Sequence, residues 1–219
     1  MPTKIGKRLR WWLFALPLSF FLSGCVSLAD VNEAILRVDK VWHAEYADLA
    51  DTHRQRIVDA PYEVAMQAVQ GVFEDFEMAF VVDSAATGHI ISESDAPKPL
   101  SADEWREIAA EETLRVREVG AWYLEVSEDP AGYVVQLQAK ITPIDAQRTA
   151  VALDYTLDNP SYRRLGVIPS QYAPPKAVQI ATNKFWKRLG ERLSEVGAPY
   201  PRKRKPSEPG IQIESMEKV

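Results

Sequence analysis

Side chains able to do chemistry are few in these 219 residues, and their spacing limits what they can do together. There are three histidines, His43, His53 and His89, and one cysteine, Cys25. His43 and His53 lie ten residues apart, so on one helix they are separated by about 15 Å of rise and cannot share a metal ion. His89 stands alone in a segment that reads as a strand. The carboxylates Glu107, Glu111 and Glu112 are close enough in sequence to meet on a helix, but they read as a solvated face, and nothing pairs them at glycosidase spacing. No Gly-x-Ser-x-Gly elbow, His-Glu-x-x-His pair or glycine-rich phosphate loop occurs. The expectation is no catalytic residue, no metal and no cofactor. The chemistry that remains is that of Cys25.

The flanks of Cys25 say what it is for. Lys4, Lys7, Arg8 and Arg10 form a basic stretch, followed by the twelve largely apolar residues from Trp11 to Leu22. A cationic region and then a short apolar one is the order of a secretory signal. A spanning helix needs about 20 apolar residues, and this run also contains Pro17 and Ser19, so it is too short to stay in the membrane. Leu22-Ser23-Gly24-Cys25 then resembles the lipobox of bacterial lipoproteins. The resemblance implies cleavage before Cys25, a diacylglyceryl thioether on its sulfur and an amide-linked acyl chain on its new N-terminus. With more than one chain, such an anchor holds durably. It leaves no free thiol in a compartment that oxidises thiols. Residue 26 is Val and not Asp, which by the same resemblance directs the protein to the periplasmic face of the outer membrane.

Without residues 1–24 the charge balance changes. That segment carries 4 of the 26 basic residues and none of the 31 acidic ones, leaving 22 against 31, a net charge of −9. An acidic domain is a poor match for nucleic acid and for anionic lipid surfaces. The exception is the run Arg202-Lys203-Arg204-Lys205 among Pro199, Pro201 and Pro206. Like charges, prolines and few apolar residues predict that 199–219 is a disordered tail.

Behind the anchor, Val31, Ile35, Val38, Trp42, Tyr46 and Leu49 recur at spacings of three and four, the stripe of an amphipathic helix within 25–53. The stripe either packs on the chain's own domain or is offered to a partner. In the second case, Trp42→Ala with Tyr46→Ala leaves the fold of 54–197 intact and weakens partner binding, since Trp and Tyr often carry interface energy.

The α+β domain is expected over 54–198. Arg54 to Asp59 reads as a short strand, and Pro61 opens a helix with the dense apolar face Val64, Ala65, Ala68, Val69, Val72, Phe73 and Phe76. Met78 to Asp83 and His89 to Ser94 read as a hairpin around Ser84 to Gly88. Ser101 and Glu104 make a capping box for a charged helix ending at Gly120. Ala121 to Ser127, Tyr133 to Thr142 and Thr149 to Leu157 read as strands. The second alternates Val135, Leu137, Ala139 and Ile141 with polar residues, as in an antiparallel sheet with one wet face. Pro174 and Pro175 start a last helix, and Gly197 stops it. Consecutive strands make this α+β: an antiparallel sheet with two long helices packed on it, preceded by an N-terminal helix.

In element order and lipoprotein context, residues 54–197 resemble the helix-grip domains of BamC/NlpB-type lipoproteins of the outer-membrane β-barrel assembly machine. The resemblance implies a long helix lying across the sheet and an accessory role in envelope biogenesis, with the charged helix as an insertion. Two functions are then open: a membrane-tethered module binding an envelope protein, or a carrier holding an apolar ligand between helix and sheet. In the second, Phe73, Phe76, Phe80, Tyr155, Phe185 and Trp186 line a pocket. In the first they fill a core.

Overall fold

The structure is a computed structural model that describes residues 26–84, 88–158 and 172–205. It is α+β. In chain order the elements are α1 (Leu28–Thr52), β1 (Gln55–Val58), α2 (Tyr62–Asp75), β2 (Phe80–Ser84), β3 (His89–Asp95), α3 (Ala102–Val119), β4 (Val134–Asp145), β5 (Arg148–Asp158), α4 (Pro175–Glu195) and β6 (Arg202–Lys203). The six strands form one antiparallel sheet in the order β2-β3-β4-β5-β1-β6.

The alternation in β4 decides which face is covered. Val135, Leu137, Ala139 and Ile141 are buried, and their cross-strand neighbours Ile90, Val151, Leu153 and Tyr155 lie on the same face. Onto this face pack α2, through Val69, Val72 and Phe73, and α4, through Val178, Ala181, Phe185 and Leu189. Burying each of the larger of these side chains contributes about 1.5–3 kcal/mol. The outer face carries Gln136, Gln138 and Lys140, all partly exposed. At its β1 end Ile57, Ala150 and Ala152 are nonetheless buried.

Local signals start and stop the helices as their chemistry requires. Ser101 caps α3, its hydroxyl accepting from Glu104 N while the Glu104 carboxylate accepts from Ser101 N. The same reciprocal pair, Ser27 with Asp30, opens α1. Pro175 occupies the first turn of α4, and Gly197 at φ 74° ends that helix in the left-handed region. Gly88 closes the β2–β3 hairpin at φ 62°, where a methyl would meet the Ile141 carbonyl oxygen at 2.1 Å.

Two expectations are corrected. The segment 121–127 is not a strand, because it runs back over α3 and bonds there instead of to a sheet. Val126 N donates to Thr113 Oγ1, Arg117 Nε to the Leu124 carbonyl and Trp105 Nε1 to the Ser127 carbonyl. The charged helix α3 contributes to the main core, where Trp105 and Ile108 are fully buried. The tail does not begin at 199. Arg202–Lys203 pairs with β1, Pro201 is buried, and the Tyr200 ring lies over Gly190 of α4, where an added methyl would come within 2.0 Å of it. Residues 206–219 lie outside the described residues.

Candidate functional site

The lipobox residues Leu22, Ser23 and Gly24 and the lipidation candidate Cys25 lie outside the described residues, which begin one position later. The helix behind them is well placed to report on the anchor. It starts at Leu28 and is not a free arm. Val38 and Trp42 form a small buried cluster with Val116 of α3, against which Leu124, Val126 and Tyr172 pack. Tyr46 enters the main core. Its hydroxyl accepts from Ala173 N at 3.1 Å and donates to the Tyr155 carbonyl at 3.4 Å. Burial, followed by the nearby Asp154 carboxylate, pushes this phenol well above its ordinary range. Val31, Ile35 and Leu49 are half-buried. The stripe is therefore intramolecular core at Val38, Trp42 and Tyr46. At those three positions the first of its two readings holds, a helix packed on its own domain.

Where α1, α3 and α4 meet, polar side chains line an open cleft of about 430 Å³. Glu45, Asp48 and Thr52 come from α1, with His53 just beyond it, Glu111 and Arg115 from α3, and Lys176 and Gln179 from α4. Arg115 is the hub, donating to both oxygens of Glu112 at 3.1 Å and to Glu45. Lys176 pairs with Glu111 through its ammonium group, and its backbone N–H reaches Glu112 Oε1 at 3.4 Å. Glu107 and Glu111 are exposed, as a solvated face requires, but Glu112 is fully buried. That corrects its reading as a surface carboxylate. Desolvation pushes its carboxyl above the ordinary value against the opposing pull of Arg115. The signal was present in the spacing, since Trp105, Ile108, Glu112 and Val116 form one inward stripe.

His53 stands at the rim with Nδ1 2.7 Å from Thr52 Oγ1 and Nε2 3.4 Å from Gln179 Nε2. Burial first, then Lys203 and Arg56, holds its imidazole below the ordinary value. His43 is far along α1 with its ring against Tyr172, and His89 sits in β3. Among the described residues, no group of three or more His, Cys, Asp or Glu side chains is placed to hold a metal ion. Two ion pairs in the cleft, Arg115 with Glu45 and Lys176 with Glu111, tie α3 to α1 and to α4.

The aromatic residues that a carrier would use to line a pocket are in contact with each other. Phe73 meets Phe80 and Phe185 at 5.7 Å between ring centroids, Phe76 meets Phe185 at 6.5 Å, and Phe185 meets Trp186 at 5.6 Å edge-on. Tyr155 is fully buried beside them. These rings pack with the core between the helices and the sheet.

Exposed apolar side chains occur in the first half of α1, just before it, and just after α3. Val26, Leu28 and Leu36 are exposed, and Trp122, just after α3, is 78% exposed. Arg37 Nη2 donates to the Gly120 carbonyl at 2.7 Å, which brings the end of α3 against this part of α1. Among the described residues, no helix is long and apolar enough to cross a membrane. No protein-family model matches the chain, and no curated protein matches it either.

Proposed function

We propose that the chain is a lipid-anchored domain on the periplasmic face of the outer membrane, acting as a protein-interaction or accessory module in envelope biogenesis. The observation that carries this is the placement of α1. It is capped by Ser27 and Asp30, begins three residues after Cys25, and is packed into the body through Trp42 and Tyr46. A tether there leaves the domain no long linker, so it works at raised effective concentration next to other membrane-bound components. The likeness to BamC/NlpB-type helix-grip lipoproteins belongs to the same proposal.

With α1's stripe used internally at Val38, Trp42 and Tyr46, the surface we assign to a partner is the β2–β3–β4 part of the sheet's outer face, on which none of the described helices packs. Gln138 stands on it, with Thr156 of β5 alongside, and Val81 of the edge strand β2 is 68% exposed there. The test is photo-crosslinking in intact cells from full-length protein carrying the crosslinker at Val81 or Gln138. A discrete adduct with one envelope protein is expected, together with its loss in Cys25→Ser. Absence of any adduct from both positions, or an unchanged adduct and membrane fractionation in Cys25→Ser, overturns the reading.

A further inference from the structure

We propose that the edge where β6 meets β1 binds a phosphate group, free or as an ester, between Arg56 of β1 and Lys203 of β6, with His53 at its margin. The site stands whether or not Cys25 carries lipid, so it goes beyond the function proposed above.

The register of the two strands creates it. Arg56 and Lys203 are Cα partners in the antiparallel pair, so their side chains leave the same face of the sheet with Cβ atoms about 4.5–5.5 Å apart. Like charges directly opposite each other destabilise a sheet. The neighbouring arginines are each answered by a carboxylate. Arg54 reaches Asp154, and Arg202, which points to the other face, reaches Asp59 at 3.6 Å. Among the described residues, no carboxylate forms an ion pair with Arg56 or Lys203.

Arg56 is 8% exposed, and burial holds its guanidinium below the ordinary value. Its Nη1 donates to the Thr52 and Gln55 carbonyls at 3.0 and 3.1 Å, and its guanidinium carbon stands 5.4 Å from the centre of the Trp186 ring. These contacts orient the group without neutralising it, and among the described residues Nε and Nη2 donate to no acceptor. Trp186 donates from Nε1 to the His53 carbonyl at 2.5 Å, which sets His53 beside the pair. After burial, Lys203 and Arg56 are the charges that hold its imidazole below the ordinary value. Tyr200, 58% exposed with its ring over Gly190, brings a phenol close to Arg56.

Charge and donor geometry identify the ligand. A guanidinium fork, an ammonium group and an imidazole approach from three elements, more donors than one carboxylate can accept, whereas a phosphate offers three or four oxygens and up to two charges. The carboxylates nearest His53 are those of the adjoining cleft, Glu45, Asp48 and Glu111, on its α1 and α3 side, and Arg115 and Lys176 already pair with Glu45 and Glu111. Along α1, Thr52 lies about 36 Å from Leu28, so the phosphate comes from a soluble ester and not from a headgroup beside the anchor.

The experiment titrates inorganic phosphate into full-length protein in uncharged detergent, by calorimetry at an ionic strength fixed with chloride. Saturable uptake of one phosphate per chain is expected. Lys203→Gln removes a charge-assisted contact and weakens uptake ~tenfold or more. Lys203→Glu sets a carboxylate opposite Arg56, so it abolishes uptake while keeping or raising the thermal midpoint in chloride, a midpoint that phosphate raises in the parent alone. A parent that takes up no phosphate, or uptake equal in the parent and both variants, overturns the inference. Repeating the titration in phosphatidylglycerol vesicles separates the sources. Unchanged uptake supports the soluble ester, and uptake lost to the headgroups overturns that assignment.

Discussion

Trp42 is the residue at which two roles compete, because a large amphipathic ring on a helix behind an anchor suits an interface as well as a core. Its surroundings settle the matter. At 6% exposure it is enclosed by Val38, Val116 and the partly buried Leu124, Val126 and Tyr172. Replacing it by Ala leaves a cavity among side chains that backbone contacts hold apart, which costs about 3–5 kcal/mol. Trp42→Ala is therefore expected to lower the urea midpoint strongly at unchanged slope, and Trp42→Ala with Tyr46→Ala to unfold the domain. A double variant as stable as the parent would return the stripe to the surface. Glu112 is the converse case. By residue type it belongs in water, yet its position among Trp105, Ile108 and Val116 carries it inside, where Arg115 must answer its charge.

At the scale of elements, the shortest strand is the instructive one. Arg202–Lys203 is highly charged and flanked by prolines, and nothing in its composition offers a core. It is held because β1 would otherwise be an open edge, and because Gly190 leaves a flat place on α4 for the Tyr200 ring. Arg202 also reaches Asp59 at 3.6 Å. Truncation after Ala198 is expected to cost about 1–2 kcal/mol, or roughly 4–8 °C in the thermal midpoint for each kcal/mol in a small domain and less in one this size. Gly190→Ala, which displaces the ring without shortening the chain, should lower the midpoint in the same direction. If neither change moves it, the strand contributes nothing to the fold. The glycine in the middle of α4 was the readable sign of this contact, for a helix interior rarely accepts one without a packing reason. The segment 121–127 shows the opposite error. Its apolar residues suited a strand, but Gly120 turns the chain so that they cover α3.

For the whole molecule, the joint between α2 and α4 sets the response to acid. Asp75 at the end of α2 accepts from Arg192 Nε and Nη2 at 2.7 and 2.5 Å and from Arg188 Nε at 2.6 Å, and these bonds hold its carboxyl down to about 2. A carboxyl depressed on folding adds stability above its unfolded pKa of 3.8, and that stability is lost as the pH falls towards 2. His53, depressed for a base, also disfavours the acid form of the fold, starting below 6.5. Glu112 works the other way. Its raised carboxyl favours the fold while protonated, and that advantage fades as the pH rises from 4.5 through its folded value. Urea titrations between pH 7 and pH 2 are expected to show a stability loss below pH 4 that Asp75→Asn flattens, with the variant already less stable at pH 7. An acid limb of the same steepness in the variant would place the acid sensitivity elsewhere.

What the sequence determined by itself is what depends on neighbours along the chain. Period-two alternation in 134–142, capping at Ser101 and Glu104, proline at the start of α4 and glycine at its end are local, and each stands where the residues put it. The order of strands and helices came with them, and with it the α+β class. The reading of Cys25 rests on the same local kind of signal, in residues 4–25. Tertiary structure decided the questions that turn on which surfaces meet. An apolar stripe states that something covers it and not what, so only the packing of α1 on α3 assigned Trp42 to the core, and its packing on β5 and residues 172–173 assigned Tyr46. Burial of a carboxylate depends on the helix opposite, and pairing of two charged residues at a sheet edge depends on a strand about 145 positions earlier. Such contacts join residues remote in sequence, and their free energy is written in no one segment.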